Sequence, residues 1–481
     1  MNIRYCGLLL LFVIIGFTAC NDEDYFSSSS EFTLSFENDS IQLDTVFSNV
    51  PSSAKSFWIY NRSGAGIKCS NVRLDRGNQT GFRVNVDGIY LGKEMGYQTS
   101  DIEVRNGDSI RVYVEVTPPV NHQQDAKRVE DALLFTLESG KVQKVHLSVY
   151  SWDAIQLNQL HISRDTVIAS ERPILVKNGI TVDSTATLTI QEGTTLYFNH
   201  NAGIDVYGRL IVEGTAAHNV VLRGSRLDAM FDYLPYDRLS GQWQGIHYFS
   251  SSFDNQLKYV DIHGAFNGIT IDSTDIARET LSIAASTIHN CQGYGVNSRH
   301  AKWTAVNTLF SNTLNNCVYL DGGEAELMAC TLAQFYPFDA KRGVALHIDT
   351  KHFPVSLFKC TNTLITGYAN NEVLKPTADS AFPLKFHFES CLLRTSIKTP
   401  EDSLHFTNVI FENVNDTLLA GAKNFKTVDT DSLKYNFELR ETSLAIDKAT
   451  QVGSPLKDRK GAERGKNPDI GAFEYIKPKQ R

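Results

Sequence analysis

Between Phe32 and Trp152 apolar residues alternate with polar ones in short runs, as at Ile110, Val112, Val114 and Val116 and again at Val145, Leu147 and Val149. A period of two sends successive side chains to opposite faces, so these runs predict half-buried strands. Ser56 to Tyr60, Phe82 to Val86 and Leu133 to Leu137 are further candidates, and Pro118-Pro119 ends one run because proline cannot donate to a ladder. Some seven short strands joined by Asn-, Gly- and Asp-rich turns predict a two-sheet sandwich.

From about Leu157 the pattern becomes a repeat. A small residue followed by a β-branched one recurs at Ile180, Ile204, Ile246, Ile269, Val296, Val318 and Val344, at intervals of 24, 42, 23, 27, 22 and 26 residues. A second ladder runs through Ile262, Ile288, Leu309, Leu332, Leu364, Leu392 and Ile410. Val260, Ser286, Asn307, Cys330, Asn362, Ser390 and Asn408 stand two residues before its rungs. A unit of about 24 residues rich in strand formers fits a coil that turns once and stacks on its predecessor, with paired strands ~4.8 Å apart. Asn side chains repeated at a rung would bond along the stack as amide ladders. A leucine-rich repeat has a similar unit length, but its L-x-x-L-x-L frame is missing from rungs such as Val306-Asn307-Thr308-Leu309-Phe310-Ser311-Asn312.

The repeat resembles the right-handed parallel β-helix of pectate-lyase-like secreted proteins, over residues 157–421. The region 32–152, with Gly107-Asp108-Ser109 and Glu138-Ser139-Gly140 each ahead of a strand, resembles the Ig-like spacers of bacterial envelope proteins. The expected fold is therefore all-β, a right-handed parallel β-helix solenoid preceded by an Ig-like β-sandwich. Ser443 to Asp447, Asp458 to Gly461, Arg464 and Asp469 to Glu474 resemble the closing segment of secreted bacterial β-helix proteins. Residues 422–481 are expected to cap the open end, where unpaired strand edges invite aggregation. A catalytic acid pair is the other reading of their carboxylates.

The start of the chain bears on location. Residues 1–19 hold Arg4, an apolar run from Gly7 to Phe17, and Thr18-Ala19 ahead of Cys20. The run is shorter than the ~20 residues of a spanning helix and suits a secretory signal peptide. Thr18-Ala19-Cys20 resembles the lipobox of bacterial lipoproteins, with Phe17 where leucine is usual. That resemblance implies cleavage before Cys20 and its acylation; an ordinary cleaved signal is the alternative. Asp22-Glu23-Asp24, within an acidic and serine-rich linker over 20–31, resembles the surface-export signal of Bacteroidetes lipoproteins. An outer-membrane protein, lipid-anchored at Cys20 and facing the cell exterior, is expected.

Charge excludes some partners. Lys+Arg at 46 against Asp+Glu at 54 gives a net −8, and loss of Arg4 with the signal makes it −9. No nucleic-acid partner is expected of such a chain, and acyl chains rather than surface charge must hold it to a membrane. Of the eight Cys, six remain after Cys6 and Cys20, none spaced C-x-x-C. They read as small core residues, and no structural metal is expected.

Candidate chemistry falls in two places. The 42-residue interval contains an insertion, residues 225–244, that carries Asp228, Asp232, Tyr233, Tyr236, Asp237 and Trp243. Aromatic faces stack on sugar rings, and carboxylates accept hydroxyl hydrogen bonds or hold Ca²⁺. These six are the ligand-binding candidates, with a polysaccharide as ligand and Ca²⁺ as an open possibility; burial of the aromatics along a flank is the competing reading. Elsewhere His263 and His289 each follow a ladder residue, with Asp261 beside them. An acid and imidazoles stacked on one flank would serve as base and orienter. The same column, continued as Phe310, Ala333, Ile365, Leu393 and Phe411, reads instead as packing. The N-T-D, D-D and G-H-G motifs of polygalacturonase-like hydrolases are missing, as is a clear Asp cluster of the pectate-lyase kind. The expected function is a non-catalytic surface lipoprotein whose β-helix binds or displays against glycans; the alternative is a polysaccharide lyase or glycosidase.

Overall fold

The computed structural model describes residues 25–231, 233–376, 382–396 and 401–477. Cys20, the acidic run behind it and Asp232 lie outside the described residues. The chain divides after Asp153 into two compact units. Among the described residues no helix is long and apolar enough to cross a membrane.

The first unit is a two-sheet β-sandwich, the Ig-like architecture. One sheet is antiparallel throughout, with Lys55–Tyr60, Ser109–Val116 and Phe82–Val86 at its centre. In the other, Lys127–Leu137 pairs antiparallel with Val142–Trp152, which takes Ser40–Phe47 in parallel on its far side. Inward residues of both sheets, among them Ile59, Val72, Val112, Val114, Phe135 and Val149, form one core. The last residues of the expected linker join the sandwich edge: Phe26 bridges Gly66, and its ring occupies the space a Cβ there would need.

The second unit is a parallel β-helix. One all-parallel sheet climbs in chain order from Ile155–Leu157 to Ile410–Phe411. A second sheet bends into two faces, because Val296–Val306 pairs with Ile269–Ile271 through its first half and with Leu281–Ala284 through its second. Each coil thus lays strands on three faces around one apolar core.

Register corrects the expected ladders. On the first sheet Ile262 lies over Ile288, then Phe310, Leu332, Ile365, Leu393 and Phe411. That is the inward column. Leu309, Leu364, Leu392 and Ile410 belong one residue earlier, in register with Asp261, Thr287 and Thr331, and face outward. A one-residue shift in a strand exchanges its two faces, and apolar residues on both faces hid the shift in the sequence. In the other ladder the residue over Val318 is Leu346 rather than Val344, and Val373 follows it.

The expected amide ladder is also replaced. Asn307, Asn362 and Asn408 turn the corner with φ of 51°, 52° and 53°, a left-handed conformation Asn tolerates. The next residues point inward: Thr308, Cys330, Thr363 and Cys391, with Ser286 below, each donate to the carbonyl two residues back. They also bond between coils: Ser286 Oγ accepts from the Val260 amide, Thr363 Oγ1 from the Cys330 amide, and Cys391 Sγ donates to the Cys360 carbonyl, so these buried groups are satisfied. Cys69, Cys291, Cys317, Cys330, Cys360 and Cys391 are all unpaired and buried, and burial pushes the Cys330 thiol up to about 12.

The C-terminal segment packs on the solenoid. It runs along the flank, covering the outward column. Phe425, Phe437, Ile470, Ala472 and Phe473 pack against Leu309, Leu364 and Leu392. Gly471 donates to the Asn362 carbonyl, Ala472 to Thr331 Oγ1, and Arg459 reaches Asn219 Oδ1 at 3.1 Å. The physical reason is the displaced register: an apolar outward column must be buried somewhere.

Where coils cross onto the second sheet, chain meets chain with no room for a side chain. Gly245 has φ of 90°, and a Cβ there would stand 1.7 Å from the Asn267 carbonyl oxygen. Gly245→Ala is expected to cost about 2–4 kcal/mol, through its left-handed φ and overpacking together. Equilibrium unfolding in denaturant measures this; a loss under ~0.5 kcal/mol would mean the coils are not stacked this closely.

Candidate binding groove on the flank of the solenoid

Parallel register brings the polar residues together. Val260–His263 lies under Thr287–Cys291, so His263 stands over His289 with ring centroids 4.9 Å apart. The column above them continues as Ser311, Ala333 and Thr366. Phe310, Ile365, Leu393 and Phe411, expected in that column, point into the core instead. A polar flank therefore begins at the two histidines.

The insertion folds back onto this flank. It forms a short hairpin, Ala229–Phe231 with Leu234–Pro235, and a single 3₁₀ turn at Tyr236–Arg238. Trp243 is fully buried, stacked on Phe198 at 4.4 Å, and its Nε1 donates to the His263 carbonyl at 2.8 Å. It is a core anchor that fixes the return of the loop and not a ligand platform. Asp228 is nearly buried against Arg226, at 2.7 and 2.5 Å, and the same guanidinium lies 4.0 Å above the Tyr236 ring. Tyr233 is 74% exposed and stacks on Phe231. Of the described candidates in the loop, Asp237 alone reaches the flank. With Asp228 and Asp237 each held by an arginine, the loop's described carboxylates do not converge as an oxygen cage for Ca²⁺.

Asp237 completes a chain of charges. Arg223 Nη1 contacts Asp237 Oδ1 at 2.6 Å, and His263 Nε2 donates to the same oxygen at 3.0 Å. His263 Nδ1 donates to Asp261 Oδ1 at 2.7 Å, which also receives His289 Nε2 at 3.2 Å. Both nitrogens of His263 thus face carboxylates, so the ring is held as an imidazolium. Burial alone would push its pKa down; the charge of Asp261 and hydrogen bonds to both acids overcome that and raise it to about 9. The hydrogen bond from His263, opposed by burial and aided by the charges of His263 and Arg223, lowers Asp237 to about 2. Burial pushes Asp261 up, but His289 and His263 more than offset it and hold the carboxyl well below the usual range.

This electrostatic state does not suit an acid–base role for Asp261 or His263. A general base needs a free nitrogen, and a glycosidase acid needs a carboxyl of raised pKa. Besides Asp469 and Glu474 of the C-terminal segment, burial pushes up the carboxyl of Glu372, to about 7. It is wholly buried and accepts the amides of Ala345 and Ala369, a structural task inside another coil.

Beside the charge chain lies a groove of about 430 Å³, walled by the strands of His289 and Ser311, the turn of Asp237, and the C-terminal hairpin Phe425–Asp429 with Lys434–Leu439. Asn290, Asn312, Asn436 and Tyr435 line it, as do Glu438 and Lys460, which pair with each other. Asn312 is 1% exposed, yet its Oδ1 has no hydrogen-bond partner among the described residues. The sequence offered two pointers that went unread: Arg223 sits one coil before His263 in the same column, and Asn312 at a positive-φ position after Ser311. The hairpin wall had no local pointer, since its placement depends on the path of residues 425–473.

A family described as a right handed beta helix region matches residues 155–334, which gives this stretch of the stack its hand. No curated protein matches the chain. Among solved structures, the catalytic unit of a thermostable GH87 α-1,3-glucanase from Streptomyces thermodiastaticus is similar at 9% identity and a TM-score of 0.20, over 75% of this chain and 89% of that one. A family 28 exopolygalacturonase from Yersinia enterocolitica is similar at 9% identity and a TM-score of 0.17, over 78% and 97%. A family 123 glycoside hydrolase from Clostridium perfringens matches at 5% identity and a TM-score of 0.19, over 27% of this chain; the chain spans 30% of its length. No residue role is carried over from them.

The contrast between Trp243 and Tyr233 is measurable. Trp243→Ala should cost about 3–5 kcal/mol as a core truncation, whereas Tyr233→Ala should stay within about 0.5 kcal/mol. Denaturant midpoints at unchanged m-values test it, and similar losses for the two would contradict the burial described.

Proposed function

We propose that the protein is a non-catalytic, glycan-binding lipoprotein of the outer membrane, anchored through an acylated Cys20 and facing the cell exterior, with the sandwich as a spacer. The ligand is a polysaccharide whose hydroxyl groups lie in the groove beside His289 and Asn312. The observation that carries the reading is the unpartnered, buried Oδ1 of Asn312 in a groove whose other polar side chains can donate and accept. A buried carbonyl oxygen left without a donor is costly, and a sugar hydroxyl supplies one. Tyr435 lines the same space, and aromatic rings commonly pack against sugars. The low carboxyl pKa values at Asp237 and Asp261 support binding over turnover.

The test uses the soluble chain from Asn21 onward with a panel of acidic and neutral polysaccharides. Retention without new reducing ends or unsaturated uronate absorbance is expected. Asn312→Gly, which keeps the left-handed φ of 55° comfortable, should weaken retention about tenfold, the equivalent of one hydrogen bond of ~1.4 kcal/mol. Turnover of any polysaccharide would replace this reading with the lyase or glycosidase one, and retention unchanged in Asn312→Gly would move the ligand elsewhere.

A further inference from the structure

We infer that Asp261, His263 and His289 form a binding site for a divalent first-row transition cation of the zinc type. The inference stands apart from the glycan reading, since the site is complete without a sugar.

Three ligand atoms converge here from two adjacent coils: Asp261 Oδ1, His263 Nδ1 and His289 Nε2, all within 4.8 Å of one another. Asp261 Oδ1 is 2.7 Å from the first nitrogen and 3.2 Å from the second. A zinc ion bound at about 2.0–2.2 Å keeps neighbouring ligands about 3.0–3.4 Å apart, so Asp261 Oδ1 needs to draw away from the two nitrogens by only a few tenths of an ångström. Two imidazoles and one carboxylate suit zinc, cobalt or iron and do not suit Ca²⁺ or Mg²⁺, which take oxygen.

The surroundings supply what a metal-binding histidine needs beyond its ligand atom. The second nitrogen of such a ring donates to a carboxylate, which fixes tautomer and orientation. His263 Nε2 donates to Asp237 at 3.0 Å, and Arg223 holds Asp237 in place at 2.6 Å. Trp243 fixes the backbone of His263 from beneath. The nearest cation from the C-terminal segment, Arg459, is bonded to Thr287 Oγ1 and Asn219 Oδ1 and not to Asp261. On binding, the cation displaces two protons: the Nδ1 proton of His263 leaves to solvent, and the Nε2 proton of His289 leaves to solvent or passes to Nδ1 by tautomerisation. Three protein ligands leave a fourth position for water, the arrangement of open zinc sites. His289 and Asp237 also line the groove.

The test is titration of the metal-free full-length chain with Zn²⁺ by calorimetry, and with Co²⁺ by visible absorption. One equivalent of either ion is expected, with a Co²⁺ spectrum of four- or five-coordinate intensity. His289→Ala should abolish the spectrum. Asp237→Asn, which touches no metal, should weaken binding 10–100-fold while leaving one equivalent. Asp261→Asn, which keeps a hydrogen-bond acceptor for both rings, should lose binding even if His289→Ala fails to fold. No binding by the parent chain, or equal binding by it and Asp261→Asn, would overturn the site.

Discussion

The structure rests on in-register parallel stacking. Each coil places a residue directly over its counterpart one strand spacing away, so whatever stands at a position in one coil is repeated along the axis as a column. Inward columns such as Ile262, Ile288, Phe310 and Leu332 make the core. The same rule acts on the outside. It is why two histidines separated by 26 residues meet ring to ring, and why Leu309, Leu364, Leu392 and Ile410 fall in one outward stripe, interrupted at Thr331, that a folded protein does not leave bare.

That stripe decides where the chain ends up. The C-terminal segment covers it, and in doing so builds one wall of the groove beside the charge chain. Arg464 ties the segment internally and to the corner of the stack, donating to the Gly471 carbonyl, Glu474 and Asn307. The charge chain of Arg223, Asp237, His263, Asp261 and His289 is partly buried, most deeply at His263. Its members are interdependent, because removing one leaves a charge without its partner in a poorly solvated place. Arrays of this kind are retained at sites that hold a ligand or fix a geometry, and here the geometry is that of two imidazoles and a carboxylate around one point.

Much of this was legible in the chain. The period of two before Trp152 and the ~24-residue repeat after Leu157 identify both architectures, because strand formers at a fixed spacing admit few other structures. The stacking of His263 on His289 followed from equal offsets from their rungs. What failed was the frame. Leu309 and Phe310, Leu364 and Ile365, and Leu392 and Leu393 are adjacent apolar pairs, and nothing local says which of each pair faces in. Only the C-terminal segment resolves it, by giving the outward member a partner more than 60 residues away in the chain for Leu309 and Leu364. Asn307 and Asn362 were read as ladder residues because amides stack well, yet their tolerance of positive φ is what the corner uses. From the sequence Trp243 suits either a sugar platform or a buried aromatic; its depth comes from Phe198 on the preceding coil, a contact no local pattern encodes.

The central claim is that the C-terminal segment seals the flank and is part of the folded solenoid unit. Amide hydrogen exchange on the intact chain tests it most directly. Gly471 and Ala472, which donate to Asn362 and Thr331 Oγ1, are expected to exchange as slowly as the strands Thr331–Gln334 and Leu364–Gly367 beneath them. Rapid exchange throughout residues 459–473, with those strands still protected, would show the flank to be open and contradict the groove built on it.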